Sequence, residues 1–203
     1  MLEVAQVNFI GRKEELNELN ERFLSGRFEM GIVYGSRRIG KTTILKEFIK
    51  DKPSFYFQAK ESNELDNRTA FSNNVNKLLG IPYPFVYPTY TEGFEALIKY
   101  ADNKPFVLVI DEIAFIAQSD KGFLSELQMN IDHKFKETQV KLILSGSTIS
   151  FMKDIIKNKR GPLFQRSTFQ MNVKKMIYSD ALAFLNGLTS EDKIKYLSIF
   201  GEH

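Results

Sequence analysis

The sequence has 203 residues, 43% of them hydrophobic and 26% charged, which is enough apolar material for a sizeable core and too ordinary a charge content for disorder. With 28 Lys and Arg against 25 Asp and Glu, the net charge of +3 does not by itself imply nucleic acid, so any basic site has to be local. The absence of cysteine removes disulfides, thiolate zinc sites and thiol catalysis, and two histidines, His133 and His203, do not make a histidine metal site.

In chain order, the segment 11–26 spaces Leu16, Leu19, Phe23 and Leu24 along one helical face and stops at Gly26. An apolar run at 30–35 reads as a strand, and 43–49 as a helix with Ile44, Leu45, Phe48 and Ile49 at helical intervals. A second strand is expected at 54–59 and helices at 68–79 and 91–101. Between those helices, GIPYPFVYPTY interleaves three prolines with aromatics and excludes a regular helix; it reads as a partner-binding surface or as a packed connector. Residues 105–112 form a continuous β-branched run, the pattern of a strand buried on both faces of a parallel sheet. A helix at 123–137, a buried strand at 140–147, a helix at 149–159 and a fifth strand at 167–176 follow. Two terminal helices are expected at 178–188 and 190–200. Strands alternating with helices define an α/β class with a mainly parallel five-stranded sheet. No apolar run approaches the roughly 18 residues of a membrane span, and the start carries no signal peptide, so a cytoplasmic protein with no membrane partner is expected.

Chemistry concentrates at the end of the first strand. Gly35, Ser36, Arg37, Arg38, Ile39, Gly40, Lys41 and Thr42 form G-x-x-x-x-G-K-T between a predicted strand and a predicted helix, with Thr43 following. Glycines let backbone N–H groups wrap phosphate oxygens, the helix end adds its dipole, Lys41 reaches the β- and γ-phosphates, and Thr42 ligates Mg²⁺. The third strand ends in Asp111 and Glu112. Asp111 suits the metal and Glu112 the base that activates water; alternatively Glu112 only caps the next helix. The fourth strand ends in LSGST, where Ser147 either senses the γ-phosphate or belongs to an ordinary turn beside Ser145 and Thr148.

Residues 157–167 gather Lys157, Lys159, Arg160 and Arg166 around a Gly-Pro turn. They read as a source of an arginine finger, as a grip on nucleic-acid phosphates, or as a solvated loop. No Asn-Lys-x-Asp or Thr-Lys-x-Asp element for guanine is present, which favours ATP.

Taken together, FIGRKEEL (9–16), YGSRRIGKT (34–42), LVIDEI (108–113), LSGS (144–147) and PLFQR (162–166) resemble, in order, the motifs of the archaeal-type P-loop ATPases, relatives of the STAND ATPases and of the Orc/Cdc6 branch of AAA+ proteins. The resemblance implies a three-layer P-loop fold over residues 1–176, with 177–203 as the start of a truncated helical lid. It also implies that Ile10, Gly11 and Arg12 lie near the adenine or ribose and that Arg166 is the arginine of the last element, although Gln165 stands where that element has Gly. The expected activity is Mg²⁺-dependent ATP binding and hydrolysis driving a conformational switch, slow alone and assisted by homo-oligomer assembly. The alternatives are a non-catalytic ATP-gated scaffold or a nucleic-acid-binding adaptor, with a nucleic-acid or protein partner.

Overall fold

The computed structural model describes residue 9 and residues 11–175. Ile10 and the helices expected at 178–188 and 190–200 lie outside the described residues. Five strands, β1 (Glu29–Tyr34), β2 (Ser54–Gln58), β3 (Phe106–Asp111), β4 (Val140–Gly146) and β5 (Phe169–Asn172), form one sheet in the order β2-β3-β4-β1-β5. Every pairing is parallel. Because β4 lies between β1 and β3, the carboxyl ends of the strands carrying the Gly-Lys loop and the Asp-Glu pair flank it on the same edge.

Continuous apolar strands bury both faces of the sheet, and alternation divides their side chains between two cores. On one face, helices α1 (Lys13–Phe23) and α2 (Lys41–Ile49) set Leu19, Ile44, Leu45 and Phe48 against Val33, Val107, Val109 and Ile143. On the other lie α3 (Glu64–Leu78), α4 (Tyr90–Ala101), α5 (Ile113–Ser119), α6 (Phe123–His133) and α7 (Ile149–Lys157), over Met30, Ile32, Leu108, Ile110, Leu142 and Leu144. Phe71 of α3 is the hub of this second core, with the rings of Phe55, Phe57, Tyr90 and Phe94 all within 5.5 Å of its own. Each such fully buried ring contributes roughly 2 to 3 kcal/mol by leaving water, so the aromatic layer anchors the sheet that positions the loops.

The clearest departures from the sequence expectation are four. Helix α3 begins at Glu64, because Asn63 caps it by accepting a hydrogen bond from the Asp66 N–H at 2.9 Å. Helix α5 was not expected: its seven residues follow the Asp111-Glu112 pair directly, and the apolar IAFIA run is too short for helical spacing to show. Helix α6 stops at His133 and the chain tightens into a 3-10 turn at Phe135–Glu137. Strand β5 covers only Phe169–Asn172 of the expected 167–176. The proline-rich segment is a connector tied to α3, with Asn76 Nδ2 donating to the Phe85 carbonyl at 2.8 Å and Ser72 Oγ accepting from the Tyr87 N–H at 3.0 Å. It still leaves Tyr83, Phe85 and Val86 exposed.

Candidate functional site

Beyond Tyr34 the chain turns sharply into α2, and two glycines allow it. Gly35 has φ +156°, and a Cβ there would meet the Val173 carbonyl oxygen at 2.3 Å; Gly40 has φ +93°. Arg38 holds φ +62°, a left-handed conformation costly for a side chain of this size. The resulting loop curls over Lys41, whose Nζ donates to the carbonyls of Gly35 and Ser36, each at 2.8 Å. Burial pushes the Lys41 ammonium below its ordinary range, the charges of Glu112 and Asp111 draw it back up, and Arg37 adds to the lowering.

From β3, Asp111 is fully buried. Its Oδ2 accepts from Thr42 Oγ1 and from the Tyr56 hydroxyl, both at 2.7 Å, and its Oδ1 accepts from the Glu112 N–H at 3.0 Å. Burial first, and then the charge of Asp111, push the Tyr56 phenol far above its ordinary range, so it is a permanent donor. Glu112 occupies the N-cap position of α5 with φ +54°, yet its side chain caps nothing. Instead Oε2 accepts from both the N–H and Oγ of Ser147, at 3.0 and 2.9 Å, joining the ends of β3 and β4. An open cleft of about 570 Å³ lies over these groups, lined by Arg37, Arg38, Gly40, Lys41, Thr42, Thr43 and Glu112.

Other candidate residues fall elsewhere. Gly11 and Arg12 are both left-handed, at φ +72° and +58°, and Arg12 is buried behind the loop. Its guanidinium donates to the Ile39 carbonyl and to Glu15 Oε1, each at 2.8 Å, so the N-terminal element braces the loop and Arg12 does not line the cleft. Arg166 does not line it either. Its Nε donates to both Asp132 oxygens at 3.2 and 3.1 Å, one terminal nitrogen to Asp132 Oδ2 at 2.6 Å, and the other to the Phe164 carbonyl. Gln165 adopts φ +57°, the conformation that the glycine of the resembling element would take without cost.

The Arg166 bonds, followed by those of Lys136, hold the Asp132 carboxyl down at about 2. Its folded value lies below the unfolded one of about 3.9, so the pair stabilises the fold above pH 4, and that contribution is lost as pH falls toward 2. Solvent screening limits it to about 1 kcal/mol. Asp132→Asn is expected to lower unfolding stability by that amount at pH 7, with the gap closing between pH 4 and 2 in urea titrations; a gap independent of pH would contradict it.

Tyr56 is the one member of the site that sequence reasoning missed. The signal was the alternation of SFYFQ, which turns Tyr56 to the face opposite Phe55 and Phe57, the face that Asp111 shares.

A parallel sheet with a glycine-bounded, lysine-bearing loop at the carboxyl edge of its central strands defines a nucleotide-binding P-loop ATPase fold. The chain belongs to the family of ATPase domains found predominantly in Archaea, whose profile matches residues 9–198. It is 30% identical over 176 residues to MJECL04, an uncharacterized protein of Methanocaldococcus jannaschii, covering 87% of this chain and 38% of that protein. It is 41% identical over 46 residues to MJ0423, an uncharacterized ATP-binding protein of the same organism, covering 23% of this chain and 78% of that one. Among solved structures, the Walker-type ATPase PABY2304 of Pyrococcus abyssi superposes with a TM-score of 0.69 at 16% identity, over 95% of this chain and 64% of that one. The Aeropyrum pernix ORC2 protein in its ADPNP-ADP complexes gives 0.65 at 18% identity, over 93% of this chain and 54% of that one. The Aeropyrum pernix ORC1 protein in complex with DNA gives 0.64 at 16% identity, over 93% and 50%. At these identities the likeness is one of fold. The chain spans 38% of the length of MJECL04 and between half and two thirds of these solved structures. No helix among the described residues is long and apolar enough to cross a membrane.

Proposed function

We propose that the cleft binds ATP with Mg²⁺ and hydrolyses it. The observation that carries this reading is the convergence of four groups from three elements: Lys41 and Thr42 of α2, Asp111 at the end of β3, and Glu112, held by Ser147. The donor set fits a hard divalent cation. Thr42 Oγ1 and Asp111 are joined at 2.7 Å, both are oxygen ligands, and one carboxylate with one hydroxyl is the sparse set that Mg²⁺ takes when phosphates and waters complete its shell. The register that places Ile110 opposite Leu144 continues to set Ser145 beside Asp111, and the buried Ser145 hydroxyl has no hydrogen-bond partner among the described residues. That leaves a polar group ready for a water of the shell.

When bound, Mg²⁺ supplies positive charge against the β- and γ-phosphate oxygens. The backbone of residues 35–40 and the amino end of α2 offer N–H groups to the same oxygens. Lys41 exchanges its loop carbonyls for phosphate oxygens, and its buried ammonium makes that pairing stronger than it would be in water. Ser147 occupies Glu112 Oε2 and so turns Oε1 to accept the proton of the attacking water. Arg166 is committed to Asp132, so an arginine at the γ-phosphate would come from Arg37 or Arg38 in the loop itself, or from a second copy of the chain. Hydrolysis would drive a conformational switch that couples the site to work elsewhere. Steady-state phosphate release from ATP tests the reading: release is expected with Mg²⁺ and its abolition with EDTA, whereas equal rates in both would overturn the role of the metal.

A further inference from the structure

We propose that Tyr56 is a positioning residue for the cation, its hydroxyl fixing the Asp111 carboxylate in the one orientation that accepts the metal's hydration shell. The inference rests on reading the cleft as a Mg²⁺·ATP site. In the β2-β3 register Tyr56 lies opposite Val109, two residues before Asp111 on the same face. Two strand residues advance roughly 6.6 Å, about the reach of a tyrosine from Cα to hydroxyl, so the ring lies along the strand and ends at the carboxylate. The 2.7 Å bond to Oδ2 is the result. The ring itself is pinned, half-buried in the core under α1 and α2 and covered by Lys46, whose Nζ stands 5.5 Å from the ring centroid.

The consequence lies in how the carboxylate's acceptor sites are used. A carboxylate offers about four, and Thr42, Tyr56 and the Glu112 N–H take three, leaving one for a metal-bound water. The terminal torsion of an aspartate is broad and does not hold its own orientation. Thr42 cannot supply that hold alone, because its oxygen must also face the cation. Tyr56 sits on a strand that contributes nothing to the cleft lining, so its hydroxyl is an anchor independent of the loop and of α2.

Tyr56→Phe keeps the ring, its packing and the Lys46 contact, and removes only the hydroxyl. Partners that orient a metal ligand are worth roughly 10- to 100-fold in metal affinity. Binding of a fluorescent ATP analogue is followed by anisotropy, in EDTA and across a Mg²⁺ titration, alongside thermal unfolding of the ligand-free protein. The expected result is nucleotide affinity in EDTA equal to wild type, and a Mg²⁺ midpoint raised about tenfold or more. A midpoint within twofold of a clearly Mg²⁺-dependent wild type would overturn the role of Tyr56 and leave the site reading standing. A matched loss of affinity in EDTA and of melting temperature would also overturn it, by making Tyr56 structural. A wild type whose nucleotide affinity ignores Mg²⁺ would remove the site reading, and the inference with it.

Discussion

Lys41→Ala is expected to weaken ATP binding by at least about a hundredfold. The ammonium is buried, sits between the Gly35 and Ser36 carbonyls, and carries the positive charge deepest in the cleft. Charge-assisted bonds to phosphate are worth roughly 1.5 to 3 kcal/mol each, and Lys41 is placed to make two. Isothermal titration with ATP checks the loss, and ligand-free thermal unfolding shows whether the fold survives the lost carbonyl contacts. An unchanged affinity in a folded variant would mean that the phosphates sit elsewhere.

Glu112→Gln is expected to leave binding nearly unchanged and to remove most of the turnover. The amide oxygen still accepts from Ser147, so the ATP affinity should stay within a few-fold of wild type. A general base contributes typically about 10²- to 10⁴-fold, and an amide cannot take the proton, so hydrolysis should fall by at least two orders of magnitude with ATP retained intact. Glu112 also holds a left-handed φ of +54°, a conformation that a merely capping carboxylate would have no reason to keep. A variant that turns over as wild type does would favour the ATP-gated scaffold, in which Glu112 carries no chemistry.

The site was legible wherever chemistry is written in consecutive residues. The loop from Gly35 to Thr42 and the Asp111-Glu112 pair announce themselves by type and spacing, and the apolar runs around them fix strand and helix. What joins distant segments was less legible. The partnership of Glu112 with Ser147 spans 35 residues and depends on β3 and β4 being neighbours, a topological fact that hydropathy does not carry. Tyr56 looked like one more aromatic of a core strand until β2-β3 register placed it behind Asp111. Arg12 was expected near the base from a resemblance; what the sequence did not show is that the left-handed pair Gly11-Arg12 turns its guanidinium under the loop, onto the Ile39 carbonyl. Arg166 was expected as a finger, and here Asp132, a carboxylate 34 residues earlier on α6, holds it. Asp132 could not be chosen from among 25 acidic residues by sequence alone.

The most direct measurement is single-turnover hydrolysis of γ-labelled ATP with protein in excess and Mg²⁺ present, because it registers the chemistry of the cleft without product release. The expected result is first-order conversion of bound ATP to ADP and phosphate in wild type and intact ATP in Glu112→Gln. Bound ATP recovered intact from both would contradict a hydrolytic site.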